Sequence, residues 1–148
     1  MSRRIIVSSL AGATVLGAAG AYAFVARASE SGPALRGATA VYEAPDAGRD
    51  GSLAFTARAS DDSGVRSVKV LAWPDSMKPA PAVKEMAAVE SAACAPAGDG
   101  AATCRYAVPV TGADAAGSPG GVWHIAVLVT AKDGDTAFVP RAAAFSTV

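Results

Sequence analysis

The sequence predicts an all-β fold: a sandwich of about seven short antiparallel strands, preceded by an N-terminal signal or anchor helix. Three observations carry the prediction. First, Val122–Ala131 (VWHIAVLVTA) contains no Pro or Gly and alternates, with Trp123, Ile125, Val127 and Val129 on one face and His124, Ala126 and Thr130 mostly on the other. That period of two, in β-branched and aromatic residues, marks a strand buried on one side. Second, Lys132-Asp133-Gly134-Asp135 follows at once, and Asp-Gly supplies the positive φ angles of a tight hairpin. Third, clusters of Gly, Pro, Asp and Ser recur at short intervals through the rest of the chain, which is the spacing of a sandwich.

Taken in order, the 148-residue chain begins with Arg3 and Arg4, then an uncharged run from Ile5 to about Ala26. A basic head, an apolar run and small residues make an export signal. Ala21-Tyr22-Ala23 and Ala26-Arg27-Ala28 are both cleavage patterns, and cleavage after Ala28 is expected because Phe24 and Val25 extend the apolar run. Residues 1–28 are therefore assigned as signal peptide. Residues 5–26 are also long enough to remain as an uncleaved membrane anchor. Ser2-Arg3-Arg4 partly resembles a twin-arginine signal, so the export route stays open.

Residues 29–37 read as a linker and 38–148 as the folded domain. Strands are expected over Ala38–Tyr42, Ser52–Ala59 and Val65–Trp73, with Leu53, Phe55, Ala57 and Ala59 sharing a face. Glu43–Gly51 and Ser60–Gly64 are turn clusters between them. Three prolines make Asp75–Pro81 irregular. Ala82–Met86 suits one helical turn after Pro81. Ala87–Cys94 is expected as a strand, although Ala and Glu favour helix. Thr103–Val110 is its partner, with Cys104, Tyr106, Val108 and Val110 on one face. Pro109 places that arm at a sheet edge. Thr111–Gly121 is a loop, and Thr136–Phe145 returns antiparallel to the strand of Trp123.

Composition narrows the function. Without Arg3, Arg4 and Arg27 the chain carries 10 basic and 13 acidic residues, a net charge of −3. Nothing in that balance is a footprint for nucleic acid or anionic lipid. Cys94 and Cys104 are the only cysteines. In an oxidising compartment they pair, clasping a hairpin across Pro96–Gly100. Closing so short a loop stabilises by about 3 kcal/mol. Secretion to the exterior is the expected address, with a membrane-anchored form facing outside as the alternative.

Two stretches carry a resemblance. SDDSGVRSVKV (Ser60–Val70) is similar to the B–C corner of bacterial immunoglobulin-like and fibronectin type III-like domains. GGVWHIAVLVTAKDGDTAF (Gly120–Phe138) is similar to their F–G hairpin. Leader, single domain and close cysteine pair together resemble small exported actinobacterial proteins of undefined role. The resemblance implies an immunoglobulin-like sandwich over Ala38–Val148 and implies no activity. The cysteines are too close in sequence to be the inter-sheet pair of antibody domains.

The chemistry-bearing residues are few. His124 is the only histidine, without a second for a metal pair. Asp61, Asp62, Asp133 and Asp135 lie in two turns that meet at one end of such a fold, where carboxylates can gather around Ca²⁺. Glu85 and Glu90 are the other close acid pair. No nucleophile elbow, zinc motif or phosphate loop is present, so neither an enzyme nor a cofactor is expected. Trp123 shares the parity of the core. Trp73, beside Pro74, is expected to be partly exposed and to form a binding patch with Met77 and Met86. The expected role is a non-enzymatic module that binds another protein or an envelope polymer. The alternative is a carrier of a small apolar ligand held in a pocket lined by Trp73, Met77 and Met86.

Overall fold

The computed structural model describes residues 32–147. The expected signal, its cleavage sites and the anchor over 5–26 lie outside them. Seven antiparallel strands form two sheets: β1 (Ala34–Glu43), β2 (Gly51–Ser60), β3 (Val65–Pro74), β4 (Ala93–Gly98), β5 (Ala101–Val110), β6 (Val122–Ala131) and β7 (Thr136–Ser146). One sheet has the order β1-β2-β5-β4 and the other β3-β6-β7. That is the strand order of the constant-type immunoglobulin sandwich.

Alternation builds the core between the sheets. Leu53, Phe55, Ala57 and Ala59 of β2 face Val68 and Val70 of β3 and Ile125, Val127 and Val129 of β6, with Ala102 and Cys104 of β5 completing the layer. Each fully buried Val, Ile or Phe contributes roughly 1.5–3 kcal/mol. Cys94 and Cys104 stand directly opposite in the β4–β5 register and are disulfide-bonded, with Cα atoms 4.0 Å apart. The bridge clasps one hairpin within a sheet. β4 stops opposite Arg105, so Pro109 does lie on an open edge and no ladder bond is lost there.

Three segments depart from expectation. β1 starts at Ala34, so the end of the expected linker is strand. A register shift between Arg36 and Thr39 accommodates Gly37 at φ 64°, a bulge that only glycine enters readily. In the expected strand Ala87–Cys94, helix preference prevails first: a 3-10 turn spans Val83–Ala88. The chain then runs along the free edge of β3, where Val70 N donates to Glu90 O and Ala92 N to Val68 O. Only from Ala93 does it pair with β5 as β4. Lastly, the expected loop after β5 contains a short helix, α1 (Gly112–Ala116).

That passage of chain from 75 to 92 builds a second core on the outer face of the three-stranded sheet. Trp73, Met86 and Ala126 are buried there with Leu71, Leu128 and Phe138 around them. Trp73 Nε1 donates to Pro140 O at 2.9 Å, and the Arg141 guanidinium lies 4.8 Å from the indole centre. Among the described residues no helix is long and apolar enough to cross a membrane.

Candidate functional site

The expected patch of Trp73, Met77 and Met86 is not a surface. Trp73 is 1 % exposed and Met86 fully buried, while Met77 is 39 % exposed. The cause is the segment 75–92, which folds over the outer sheet face and uses Met86 to cover the indole. His124 sits on the same outer face. Its Nε2 is 2.7 Å from Asp75 Oδ1, and its ring centre is 4.8 Å from that of Trp73. The hydrogen bond to His124 holds the Asp75 carboxyl below the ordinary carboxylate range. The pair fastens the start of the covering segment to β6.

The four aspartates also meet a different fate. Their two turns do come together, yet the carboxylates of Asp61 and Asp133 are turned onto turn backbone. Asp61 Oδ2 accepts from Ser63 N at 3.0 Å and from Ser63 Oγ at 2.7 Å; Asp133 Oδ1 accepts from Asp135 N at 3.0 Å. Asp62 is exposed and Asp135 buried. Among the described residues, no three acidic, His or Cys groups converge as metal ligands. These turns form a lock with one another. Asp133 N donates to Ser63 Oγ, Lys132 N to Gly64 O, and Arg66 Nη2 to Lys132 O. The β4–β5 turn joins the lock, with Asp61 N donating to Gly100 O at 3.0 Å. A Cβ on Gly100, whose φ is 76°, would come within 2.1 Å of Asp61 O. Glu85 and Glu90 are likewise spent on structure: Glu85 accepts from Ala82 N, and Glu90 from the Tyr106 hydroxyl at 2.7 Å.

The opposite end of the sandwich is open. There the sheets part around a cavity of about 370 Å³. Its floor is apolar, made by Leu53 of β2, Ala72 of β3 and Val108 of β5. One wall is aromatic. The Tyr42 and Phe145 rings stack at 5.6 Å and 20°, and the Phe145 and Trp123 rings at 6.1 Å and 22°. The three residues come from β1, β7 and β6, so the wall bridges the two sheets.

The 111–121 segment roofs this cavity with Ala115, Ser118, Pro119 and Gly120. A capping box shapes it: Asp114 N donates to Thr111 Oγ1 and Thr111 N to Asp114 Oδ2, both at 3.0 Å. That backbone bond lowers the Asp114 carboxyl from its usual range. Ser118 Oγ donates to Asp114 O at 2.7 Å. The roof is tied down by Trp123 Nε1 donating to Pro119 O at 3.0 Å, and by Thr147 N donating to Gly121 O. The polar groups at the rim are thus engaged with the roof's own backbone. The surface left to meet a guest is mostly hydrocarbon and aromatic.

Trp123 has the inward parity expected of it, but it stands where the sheets have already diverged. It lines a hollow instead of filling a core. Nothing in the sequence marks Tyr42, Phe145, Leu53 and Val108 as site residues, because their convergence needs four strands from both sheets to be assembled. The Thr111-x-x-Asp114 spacing was the available signal for the roof.

A family model described as "Family of unknown function (DUF5707)" matches residues 35–129, from β1 to near the end of β6. The match covers more than half of the chain, and the chain belongs to this family. No curated protein and no solved structure matches it.

Proposed function

We propose that this DUF5707 domain is an exported, non-enzymatic binding module whose ligand is a small, flat, mainly apolar molecule seated in the open-end cavity. The observation that carries this is the aromatic wall of Tyr42, Phe145 and Trp123 beside an apolar floor. Ligand sites are concave, mostly apolar and roughly 300–1,000 Å³ in volume, with a few polar groups at the margin. A cavity of about 370 Å³ lies at the small end of that range. Carriage of an apolar ligand is thus better supported than the docking of a protein on Trp73, which is buried.

Binding without chemistry fits the lining. Ser118 and Asp114 are its candidate nucleophile and acid, and each is bonded to roof backbone instead of to the other. Export is supported by the basic, then apolar, leader sequence and by the disulfide.

The test is a fluorescence titration of the full chain with the apolar probe N-phenyl-1-naphthylamine. Binding is expected to saturate at one probe per chain. The Ala115→Trp variant, which fills the mouth from α1, is expected to lose it while unfolding at the same denaturant concentration. Unsaturable uptake, or equal binding by the variant, contradicts the reading.

A further inference from the structure

The outer face of the four-stranded sheet presents a second kind of surface. In register, Arg36 of β1 stands directly opposite Arg58 of β2. Arg58 is opposite Thr103 of β5, and Arg105 is opposite Thr56. Arg58 and Arg105 are therefore diagonal neighbours, roughly 7–8 Å apart. All three arginines are exposed. Their register neighbours on this face are Thr39, Thr56, Ser60, Thr103, Ala93 and Ala95, none of them acidic. The nearest strand carboxylate in register on the face is Glu43, at its far end opposite Ser52. Among the described residues none of the three arginines has an ion pair; the pairs are Arg49–Asp46 and His124–Asp75.

This arrangement runs against two trends. The chain after residue 28 is net acidic, yet this face gathers cations from three strands far apart in sequence. Like charges directly opposite on paired strands destabilise a sheet. A local rule broken without internal compensation points to function.

We propose that Arg36, Arg58 and Arg105 form a docking face for the phosphate groups of a linear, base-free polymer. A guanidinium grips an oxyanion through two parallel N–H bonds. An in-chain phosphate is tetrahedral and turns its two charged oxygens in different directions, unlike the coplanar pair of a carboxylate, so the Arg36–Arg58 pair can take one oxygen each while Arg105 holds the next phosphate. The Thr39 and Thr56 hydroxyls, 2.9 Å apart, and Thr103 add hydrogen-bonding groups beside them. The face carries no aromatic side chain in this stretch, so nothing on it stacks a nucleobase. The surface is separate from the cavity, and its test does not depend on the cavity's ligand.

The full chain is titrated with fluorescently end-labelled long-chain polyphosphate. Binding is expected at low ionic strength and should weaken about tenfold or more between 50 and 200 mM salt, as release of counterions from about three phosphates requires. Arg58→Gln should weaken binding several-fold. The triple variant R36Q/R58Q/R105Q should abolish it and melt no lower than the parent, because a like-charge pair has been relieved. The control R49Q/K78Q/K84Q removes as much charge elsewhere and should bind as the parent does. Polygalacturonate and single-stranded oligonucleotide of equal charge should bind more weakly than polyphosphate. Absence of binding, equal binding by the triple variant, equal loss in the control, or preference for either competitor overturns the proposal.

Discussion

At one end of the sandwich the β2–β3, β4–β5 and β6–β7 turns interlock through Asp61, Ser63, Gly100 and Lys132; at the other the sheets part around a cavity of about 370 Å³. Both ends are built from the same strands. The difference lies in what the connecting segments do with their polar groups. At the locked end, donors and acceptors of one turn are satisfied by another. At the open end the 111–121 segment satisfies part of its groups internally, through its capping box, and is tied to β6 and to the chain end by Trp123 and Thr147. It roofs the space without filling it. A roof held in this way over an apolar floor is how a sandwich keeps a pocket while remaining stable.

The two tryptophans sharpen the contrast most. Trp73→Ala empties the covered outer core and leaves Pro140 O without its donor. We expect a loss of about 3–5 kcal/mol in urea unfolding. Trp123→Ala removes a partly buried cavity wall, its stacking on Phe145 and one hydrogen bond, with a smaller expected loss of about 2 kcal/mol. If the two substitutions cost the same, the distinction between packed core and open pocket fails.

At the locked end, Gly100→Ala meets Asp61 O and a left-handed backbone together. A loss of about 3 kcal/mol is expected, combining backbone strain with a broken turn-to-turn bond, read as a lower urea midpoint at unchanged m-value. The same substitution at Gly112, where a Cβ meets nothing, should be close to neutral. Replacing both Cys94 and Cys104 by Ala should cost about 2–3 kcal/mol by releasing the closed loop in the unfolded chain. It should leave probe binding at the far end intact.

A smaller effect lies in alkaline titration. Burial and the hydrogen bond to Glu90 push the Tyr106 phenol up to about 12. The folded state thus holds this proton more tightly than the unfolded chain, whose phenol titrates near 10. The stabilising contribution is complete below pH 10 and is lost as pH rises toward 12. Absorbance at 295 nm should show one tyrosine ionising late, and Glu90→Gln should move that step to lower pH.

Much of the fold was legible in the sequence. Alternation in Ser52–Ala59, Val65–Trp73 and Val122–Ala131 declares the sheets, and the inward set of Leu53, Phe55, Val68, Val70, Ile125, Val127 and Val129 follows from parity. The Cys94–Cys104 hairpin was readable because a turn separates the two arms. The site was much less legible. Period two tells which face a residue takes, but not whether a second layer covers that face. Trp73 departs from its expected exposure for that reason: its cover is Met86, which lies beyond three prolines. The cavity wall draws Tyr42, Trp123 and Phe145 from strands that meet only after both sheets are assembled. The arginine face is invisible in net charge, because it arises from cross-strand register.

The most direct test of a ligand site between the sheets uses the two indole N–H resonances of the ¹⁵N-tryptophan-labelled chain, titrated with N-phenyl-1-naphthylamine. The Trp123 signal should move saturably while that of Trp73, sealed beneath Met86, stays in place. A shift of the Trp73 signal alone, of both together, or of neither would contradict a binding cavity at the open end.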